Sequence, residues 1–287
     1  VLVMIPGAQK GSPASARPYR LVDERSAQLL VTDLAATRGD GVFETVGVFD
    51  GKPVNLDAHL ARLARSAAMI DLPELALDTI RAAAISAIDA HLPVPELALK
   101  IIVTRGVEGD GVLTAWAHAR AGVDYGKERA GIKVVALDRG IPTTAPATSP
   151  WLLAGAKTLS YAVNMAVVRE AARRGADDVL FVSSDGYALE GPTSTLLVRH
   201  GDRFVSTPAD AGVLPGTSLT TAFEFLRGSG YEVAEELVTP RQVAESDGAW
   251  LLSSVRLAAP LTHLDDEALP VDAGLSRQLS RAISGRV

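Results

Sequence analysis

The chain has 287 residues, 47% of them apolar and 22% charged, which exceeds one typical domain and allows two sizeable cores. Its formal net charge of −6 argues against nucleic acid as a partner, because neutralising phosphates needs clustered Lys and Arg. The absence of cysteine excludes disulfides, thiolate nucleophiles and thiolate metal sites.

The N-terminal run Val1 to Ile5 is too short for the apolar core of a signal peptide and lacks a basic flank. Gly7 to Arg17, rich in Gly, Ser, Pro and Ala, reads as a flexible arm. No apolar run has the length a membrane span needs, so a cytoplasmic protein with no membrane partner is expected. Gln28 to Thr32 reads as a short strand, Gly39-Asp40-Gly41 as a turn and Val42 to Val48 as a strand. A hairpin turn follows at Phe49-Asp50-Gly51-Lys52. Helical spacing of Leu60, Leu63, Ala64, Ala67 and Ala68 predicts a helix capped by Asp57, and Leu75 to Ala90 predicts a second, stopped by Pro93 and Pro95. Leu97 to Thr104 and Val112 to Arg120 read as strands. The polar stretch Val123 to Arg129 is the candidate linker, dividing a smaller domain at 1–126 from a larger one at 127–287.

In the second part, strands are expected at Ile132 to Leu137, Asp178 to Val182, Thr195 to Arg199, Arg203 to Ser206, Tyr231 to Glu235 and Ala249 to Ser253. Helices are expected at Ser160 to Arg173, Thr217 to Leu226 and Pro240 to Glu245. Ile141 to Ser149 reads as a loop. Short strands and helices mixed in both parts predict two α/β or α+β domains. The histidines, His59, His91, His118, His200 and His263, are scattered without the close spacing of a helical metal site, so no metal is expected.

Lys157 lies in Leu153-Ala154-Gly155-Ala156-Lys157-Thr158-Leu159-Ser160-Tyr161, with no acid or second base close by in sequence. Burial disfavours an ammonium, and a neutral amine attacks carbonyls. Some thirty residues on, Glu190 enters the turn Gly191-Pro192-Thr193-Ser194-Thr195. An amine and a carboxylate so placed suggest a lysine imine to pyridoxal phosphate, with Glu190 at the pyridinium nitrogen. A phosphate cradle can be read from Leu214-Pro215-Gly216-Thr217-Ser218, where a glycine turn opens a helix and free N–H groups favour an anion. Leu214 could pack on the ring. Arg62 supplies a fork for phosphate, and Ser253 and Ser254 offer hydroxyls at a strand end. Each motif alone has an ordinary reading as a helix start, a solvated charge or a turn. Lys100 is a rival amine, but period-two alternation puts it on the strand face opposite Leu99 and Ile101.

The ordered set resembles the fold-type IV pyridoxal-phosphate enzymes, the class IV aminotransferase family. The resemblance runs from Arg38-Gly39-Asp40-Gly41-Val42-Phe43-Glu44-Thr45 through His59-Leu60-Ala61-Arg62-Leu63, Lys157, Glu190-Gly191 and Leu214-Pro215-Gly216 to the segment from Ser254 to Pro260. It implies that Lys157 holds the cofactor covalently and serves as acid and base. Glu190 is implied to pair with the ring nitrogen, Arg62, Thr217, Ser218 and Ser254 to bind phosphate, and Leu214 to support the ring. A homodimer with shared active sites and a small-molecule substrate are implied as well. Two positions depart from the pattern: Thr195 stands where asparagine is frequent, and Ser253-Ser254 replaces a Gly-Thr pair. Tyr161 could reach the cofactor's phenolic oxygen, although its spacing is not the transaminase one.

For the reaction, the D-amino-acid aminotransferases carry an Arg-x-His carboxylate trap shortly after an Arg-Gly pair. Here Arg105-Gly106 is followed by Val107-Glu108-Gly109-Asp110-Gly111, with neither residue. That loop and the Arg38 segment are closer to the 4-amino-4-deoxychorismate lyases, which implies elimination of pyruvate to form 4-aminobenzoate for folate synthesis. Arg38, Arg105 and Arg256 are candidates to meet substrate. A transaminase of a D-amino acid, branched-chain amino acid or (R)-amine is the alternative, and a non-catalytic pyridoxal-phosphate-binding protein is the second.

Overall fold

A computed structural model describes residues 1–11 and 18–286. The chain forms two compact units, Val1–Val123 with Ala156–Tyr161, and Asp124–Gly155 with Ala162–Val287. The division thus falls three residues before the expected one, and the segment carrying Lys157 belongs to the first unit.

The first unit contains strands β1 (Leu2–Met4), β2 (Arg20–Val22), β3 (Gly41–Phe49), β4 (Lys52–Pro53), β5 (Glu96–Thr104) and β6 (Thr114–Ala121). Its helices are α1 (Leu34–Arg38), α2 (Leu56–Met69) and α3 (Leu77–Asp89). The sheet order is β2-β1-β6-β5-β3-β4, antiparallel throughout. Alternation decides its faces: Leu97, Leu99, Ile101 and Val103 on β5 and Val42, Val46 and Val48 on β3 are buried. They share one core with Leu60 and Leu63 of α2 and Ile80 and Ala84 of α3. Each fully buried Val, Leu or Ile among them stabilises the unit by roughly 1.5–3 kcal/mol. Lys100, out of phase with Leu99 and Ile101, is exposed.

Three local expectations are corrected. Gln28 to Thr32 is no strand; Leu30 is 66% and Val31 85% exposed, and β-propensity without a half-buried pleated surface to fit does not make a strand. The cap position of α2 is Asn55, in left-handed conformation, and Asp57 falls in the first turn, where its charge still favours the helix dipole. The beginning of the supposed flexible arm is pinned: Ala8 is fully buried and Lys10 N donates to Glu74 O at 2.7 Å. The remainder, 12–17, lies outside the described residues.

The second unit contains β7 (Ile132–Asp138), β8 (Asp178–Val182), β9 (Glu190–Gly191), β10 (Ser194–His200), β11 (Arg203–Ser206), β12 (Glu232–Glu235), β13 (Gly248–Ser253), β14 (Leu257–Leu264) and β15 (Glu267–Ala268). Its sheet runs β12-β11-β10-β13-β14-β7-β8, with β9 on β10 and β15 on β14. It is mixed: β7 is parallel to β8 and to β14, and β11 to β12. The helices are α4 (Gly126–Ala130), α5 (Ala145–Thr148), α6 (Ala162–Arg173), α7 (Thr217–Gly228), α8 (Pro240–Ala244) and α9 (Ala273–Ser284). Leu196, Val198, Leu251 and Leu261 centre its core.

No element is expected from the sequence beyond Ser253, yet β14 and α9 follow. Strand β14 carries Pro260 opposite Trp250, a residue that disguises a strand because it donates no ladder bond. Helix α9 buries Leu275, Leu279 and Ile283, one helical face, and Trp250 Nε1 donates to Ser276 Oγ there at 2.8 Å.

Candidate active site

In the first unit the site is built on β3. Residue 41 must be glycine, since a Cβ there would lie 2.6 Å from Val103 O and 2.8 Å from Leu159 Cδ1. That close approach lets residues 157–159 lie along the start of the strand: Leu159 N donates to Gly41 O, and Phe43 N to Lys157 O. Lys157 N also donates to Ser66 Oγ of α2 at 3.1 Å. The lysine backbone is therefore fixed on both sides, and its side chain is partly buried.

Lys157 Nζ lies 4.5 Å from the centroid of the Phe43 ring and 3.4 Å from the Tyr161 hydroxyl. Phe43 and Tyr161 meet edge to face, with centroids 5.1 Å apart. An amine held against two aromatic rings keeps its direction and meets little water on that side.

On the inward face of the same strand, Glu44 is fully buried among Val42, Val46 and Val48. Arg62, buried on α2, donates Nε to Glu44 Oε1 and Nη2 to Oε2, both at 2.7 Å. His59 Nδ1 lies 2.7 Å from Glu44 Oε2. Burial pushes the Glu44 carboxyl up, but the hydrogen bonds and charges of Arg62 and His59 outweigh it and hold it at about 2. The bidentate pair fixes the plane of the Arg62 guanidinium. Glu44 and His59 are absent from the sequence-derived site. Both carried a signal: Glu44 is a charge at the inward phase of a period-two strand, and His59, Arg62 and Ser66 recur at helical spacing on one face.

Arg105 donates Nε to Asp40 Oδ2 at 2.7 Å, and its Nη atoms donate to the carbonyls of Ile70 and Asp71. Its guanidinium thus joins the end of β5 to the turn before β3 and the residues after α2. Arg38, in the last turn of α1, is exposed.

In the second unit Glu190, on β9, accepts from Leu214 N at 3.2 Å. Leu214 therefore contributes a backbone amide. Two residues on, a Cβ on Gly216 would meet Thr195 Oγ1 at 2.4 Å, so the chain runs against β10 before turning into α7. Gly216 brings no capping side chain, which leaves the orphan amides of the first turn to other acceptors. Thr217 and Ser218 are buried there. Ser218 Oγ lies 3.5 Å from Ser254 Oγ, in the turn Ser254 to Arg256 that joins β13 to β14. Ser253 Oγ accepts from Arg256 N at 3.2 Å. Arg256 Nη1 donates to Asp178 Oδ2 at 2.7 Å and Nη2 to Ser194 Oγ at 3.4 Å, so this guanidinium is paired with a carboxylate of the protein itself.

The structure thus gathers Arg62, Lys157 and Tyr161 in the first unit, and Glu190, Leu214, Gly216, Thr217, Ser218, Ser253 and Ser254 in the second. Among the described residues no group of three or more His, Asp or Glu is placed to hold a metal, and no helix is long and apolar enough to cross a membrane.

This arrangement belongs to a known class. The sequence profile of the amino-transferase class IV family matches residues 41–264, and the chain is a member of that family. It is 44% identical over 252 residues to the bifunctional aminodeoxychorismate lyase / D-amino acid transaminase of Mycobacterium tuberculosis, covering 83% of this chain and 86% of that protein. Among solved structures, the fold IV transaminase CpuTA1 from Curtobacterium pusillum superposes with a TM-score of 0.96 at 45% identity, over 99% of this chain and 97% of that one. A hypothetical aminotransferase from Mycobacterium tuberculosis, solved in a PLP-bound form, gives a TM-score of 0.89 at 39% identity, covering 93% of this chain and 97% of that one. Class IV aminotransferases are pyridoxal-phosphate enzymes, and the mixed two-unit architecture is that of fold-type IV.

Proposed function

We propose that the chain is a 4-amino-4-deoxychorismate lyase that works with pyridoxal phosphate. The residues fit that cofactor. A helix N-terminus without a capping side chain, beside two facing hydroxyls, suits a phosphate. The amide-held carboxylate of Glu190 suits a protonated ring nitrogen, and an amine braced by aromatic rings suits an aldehyde. Arg62, oriented by Glu44, adds a cation for the phosphate.

When bound, pyridoxal phosphate withdraws electrons from the amine-bearing carbon of a substrate. Lys157 Nζ then takes the proton from that carbon. Tyr161, within hydrogen-bonding reach, steers the amine, and Phe43 keeps water from one side of it. Glu190 holds a proton at the ring nitrogen, and the Leu214 amide keeps the carboxylate in place. The electron pair from that carbon–hydrogen bond would form the new ring double bond as the bond from the substrate ring to its enolpyruvyl oxygen breaks, and Lys157 would pass its proton to the departing enolpyruvate, giving pyruvate and 4-aminobenzoate.

The observation that carries elimination over transamination is the segment from Arg105 to Val112. Its only cation is committed to Asp40 and two carbonyls, while Glu108 and Asp110 are exposed. Such a loop is a poor clamp for the α-carboxylate of a D-amino acid. A second reading, D-amino-acid transamination by the same residues, is supported by the 44% identity to a protein named for both activities. Aminodeoxychorismate supplied without any keto acid is expected to yield 4-aminobenzoate and pyruvate. Cofactor-loaded protein that forms neither, yet passes an amino group from D-alanine to a keto acid, is a transaminase alone. We further propose a homodimer as the working form, checked by light scattering of the loaded protein. Exposed Trp151, Val163 and Met165 are apolar surface that a second copy would cover.

A further inference from the structure

We propose that Arg129 and Arg256 clamp the turn between β13 and β14 from two sides, and that they are positioning residues for the Ser254 hydroxyl. The proposal rests on the reading of Ser218, Ser254 and the start of α7 as a phosphate cradle.

The turn is short. Ser253 pairs with Leu257 across the hairpin, so only Ser254, Val255 and Arg256 lie between the strands. Leu257 has φ 68, a left-handed conformation that is strained for a non-glycine residue and persists only where the surroundings impose it. Two arginines impose it. From α4, Arg129 donates Nη2 to Val255 O at 3.0 Å and Nε to Arg256 O at 3.1 Å. These are consecutive carbonyls that a hairpin of this length leaves without ladder partners.

Arg256 reaches the other way, to Asp178 on β8 and Ser194 on β10. Asp178 is buried, so the pair is strongly directional. The geometry is held against a cost, since Arg256 Nε is buried without a hydrogen-bond partner and so loses its hydration uncompensated. The carbonyls of the turn are thus fixed by one guanidinium and its side chain by another. The group left at its head is Ser254, with Oγ 3.5 Å from Ser218 Oγ. Cofactor sites need supporting groups that hold the contacting atoms to about 0.5 Å. In a three-residue turn whose side chains are only partly buried, the arginine pair supplies that support.

The experiment titrates the full-length apo-protein with pyridoxal 5′-phosphate and records the phosphorus resonance of the bound cofactor. Ser254→Ala sets the reference and is expected to raise the cofactor Kd about tenfold, the effect of one hydrogen bond to a charged group. Arg129→Met is expected to raise it about fivefold and to move the phosphorus resonance in the same direction. In combination with Ser254→Ala it should add almost nothing, because both act through one hydroxyl. Arg129→Lys, which keeps the charge and one carbonyl contact, should fall between Arg129→Met and wild type. Arg256→Lys, which leaves Asp178 paired, should resemble Arg129→Lys, and these two milder variants carry the test where Arg129→Met does not fold.

A clamp that only stabilises the fold lowers the unfolding temperature of the apo-protein and leaves Kd and resonance at their wild-type values. It could also add its effect in full to that of Ser254→Ala. Either result overturns the proposal while the cradle reading stands. Where Ser254→Ala itself changes neither quantity, Ser254 has no part in the cradle and both readings fall.

Discussion

The two units hold their candidate residues by different physics. In the first, charged side chains do the holding: Glu44 orients Arg62, and two aromatic rings orient the amine of Lys157, all on or beside one strand. In the second, the contacting groups are a backbone amide at Leu214, the first turn of α7 and hydroxyls on short turns, and the one charge among them, Glu190, is itself held by an amide. The first arrangement stands on a buried ion pair, expensive to disturb because removing one partner strands the other in a low-dielectric interior. The second stands on close backbone approach, and its weak point is volume.

The largest effect tests the amine. Lys157→Ala is expected to lower turnover by about 10²- to 10⁴-fold on the scale of acid–base catalysis, and to remove the visible absorbance of covalently held cofactor. A retained band would assign the attachment to another lysine. Next comes the ion pair. Glu44→Gln leaves Arg62 buried without its counter-charge and is expected to destabilise the protein by about 3–5 kcal/mol, read as a fall in thermal midpoint with weaker cofactor binding. The pH dependence has a definite sign. The folded Glu44 carboxyl is held at about 2, below its ordinary 4.5, so the stability it adds is complete above pH 4.5 and is lost as pH falls toward 2. Acid unfolding followed between these limits should be less steep in Glu44→Gln, which has no carboxyl to protonate. An unchanged acid limb would mean that the pair contributes nothing differential.

This contrast also explains what could be read from the sequence. Strands β5 and β8 and helix α3 were plain because alternation, helical spacing and Pro or Gly stops all agree there. Lys157, Glu190 and Gly216 stood out as a charge or a glycine among neighbours of another kind. Glu44 and His59 were equally visible in phase, but their significance is a pairing, and a single sequence does not say which buried charge meets which. The attachment of 156–161 to the first unit was illegible for a similar reason: it depends on the space left at Gly41, a property of packing. Arg129 reads as the end of a polar linker and Arg256 as a candidate to meet substrate, since their actual partners are carbonyls and a distant aspartate that a single sequence does not reveal. Gln28 to Thr32 reads as a strand because its β-branched and apolar residues fit one, while in the structure Leu30 and Val31 lie exposed and pair with no strand among the described residues.

Volume is the test of the second unit. Gly216→Ala places a methyl group 2.4 Å from Thr195 Oγ1, so the chain before α7 must shift. The expected result is a cofactor Kd raised about tenfold with stability lowered by about 1–3 kcal/mol, as for overpacking generally. Gly216→Ala with Thr195→Ala tests the cause, because removing the Thr195 hydroxyl, the atom the new methyl group would meet, should return part of the affinity. Absence of that recovery would locate the effect elsewhere.

The smallest effect is the control that sharpens the comparison. Lys100 lies within β5 one residue from two core side chains, yet its phase turns it outward and it is exposed. Lys100→Ala is therefore expected to change stability by no more than about 0.5 kcal/mol and to leave the cofactor absorbance intact. Lys157 and Lys100 share a unit and a chemical group, and they differ in whether backbone and rings fix the amine. If Lys100→Ala lowered cofactor occupancy while Lys157→Ala did not, phase and burial would be the wrong basis for choosing between them. The assignment of the amine would then pass to β5.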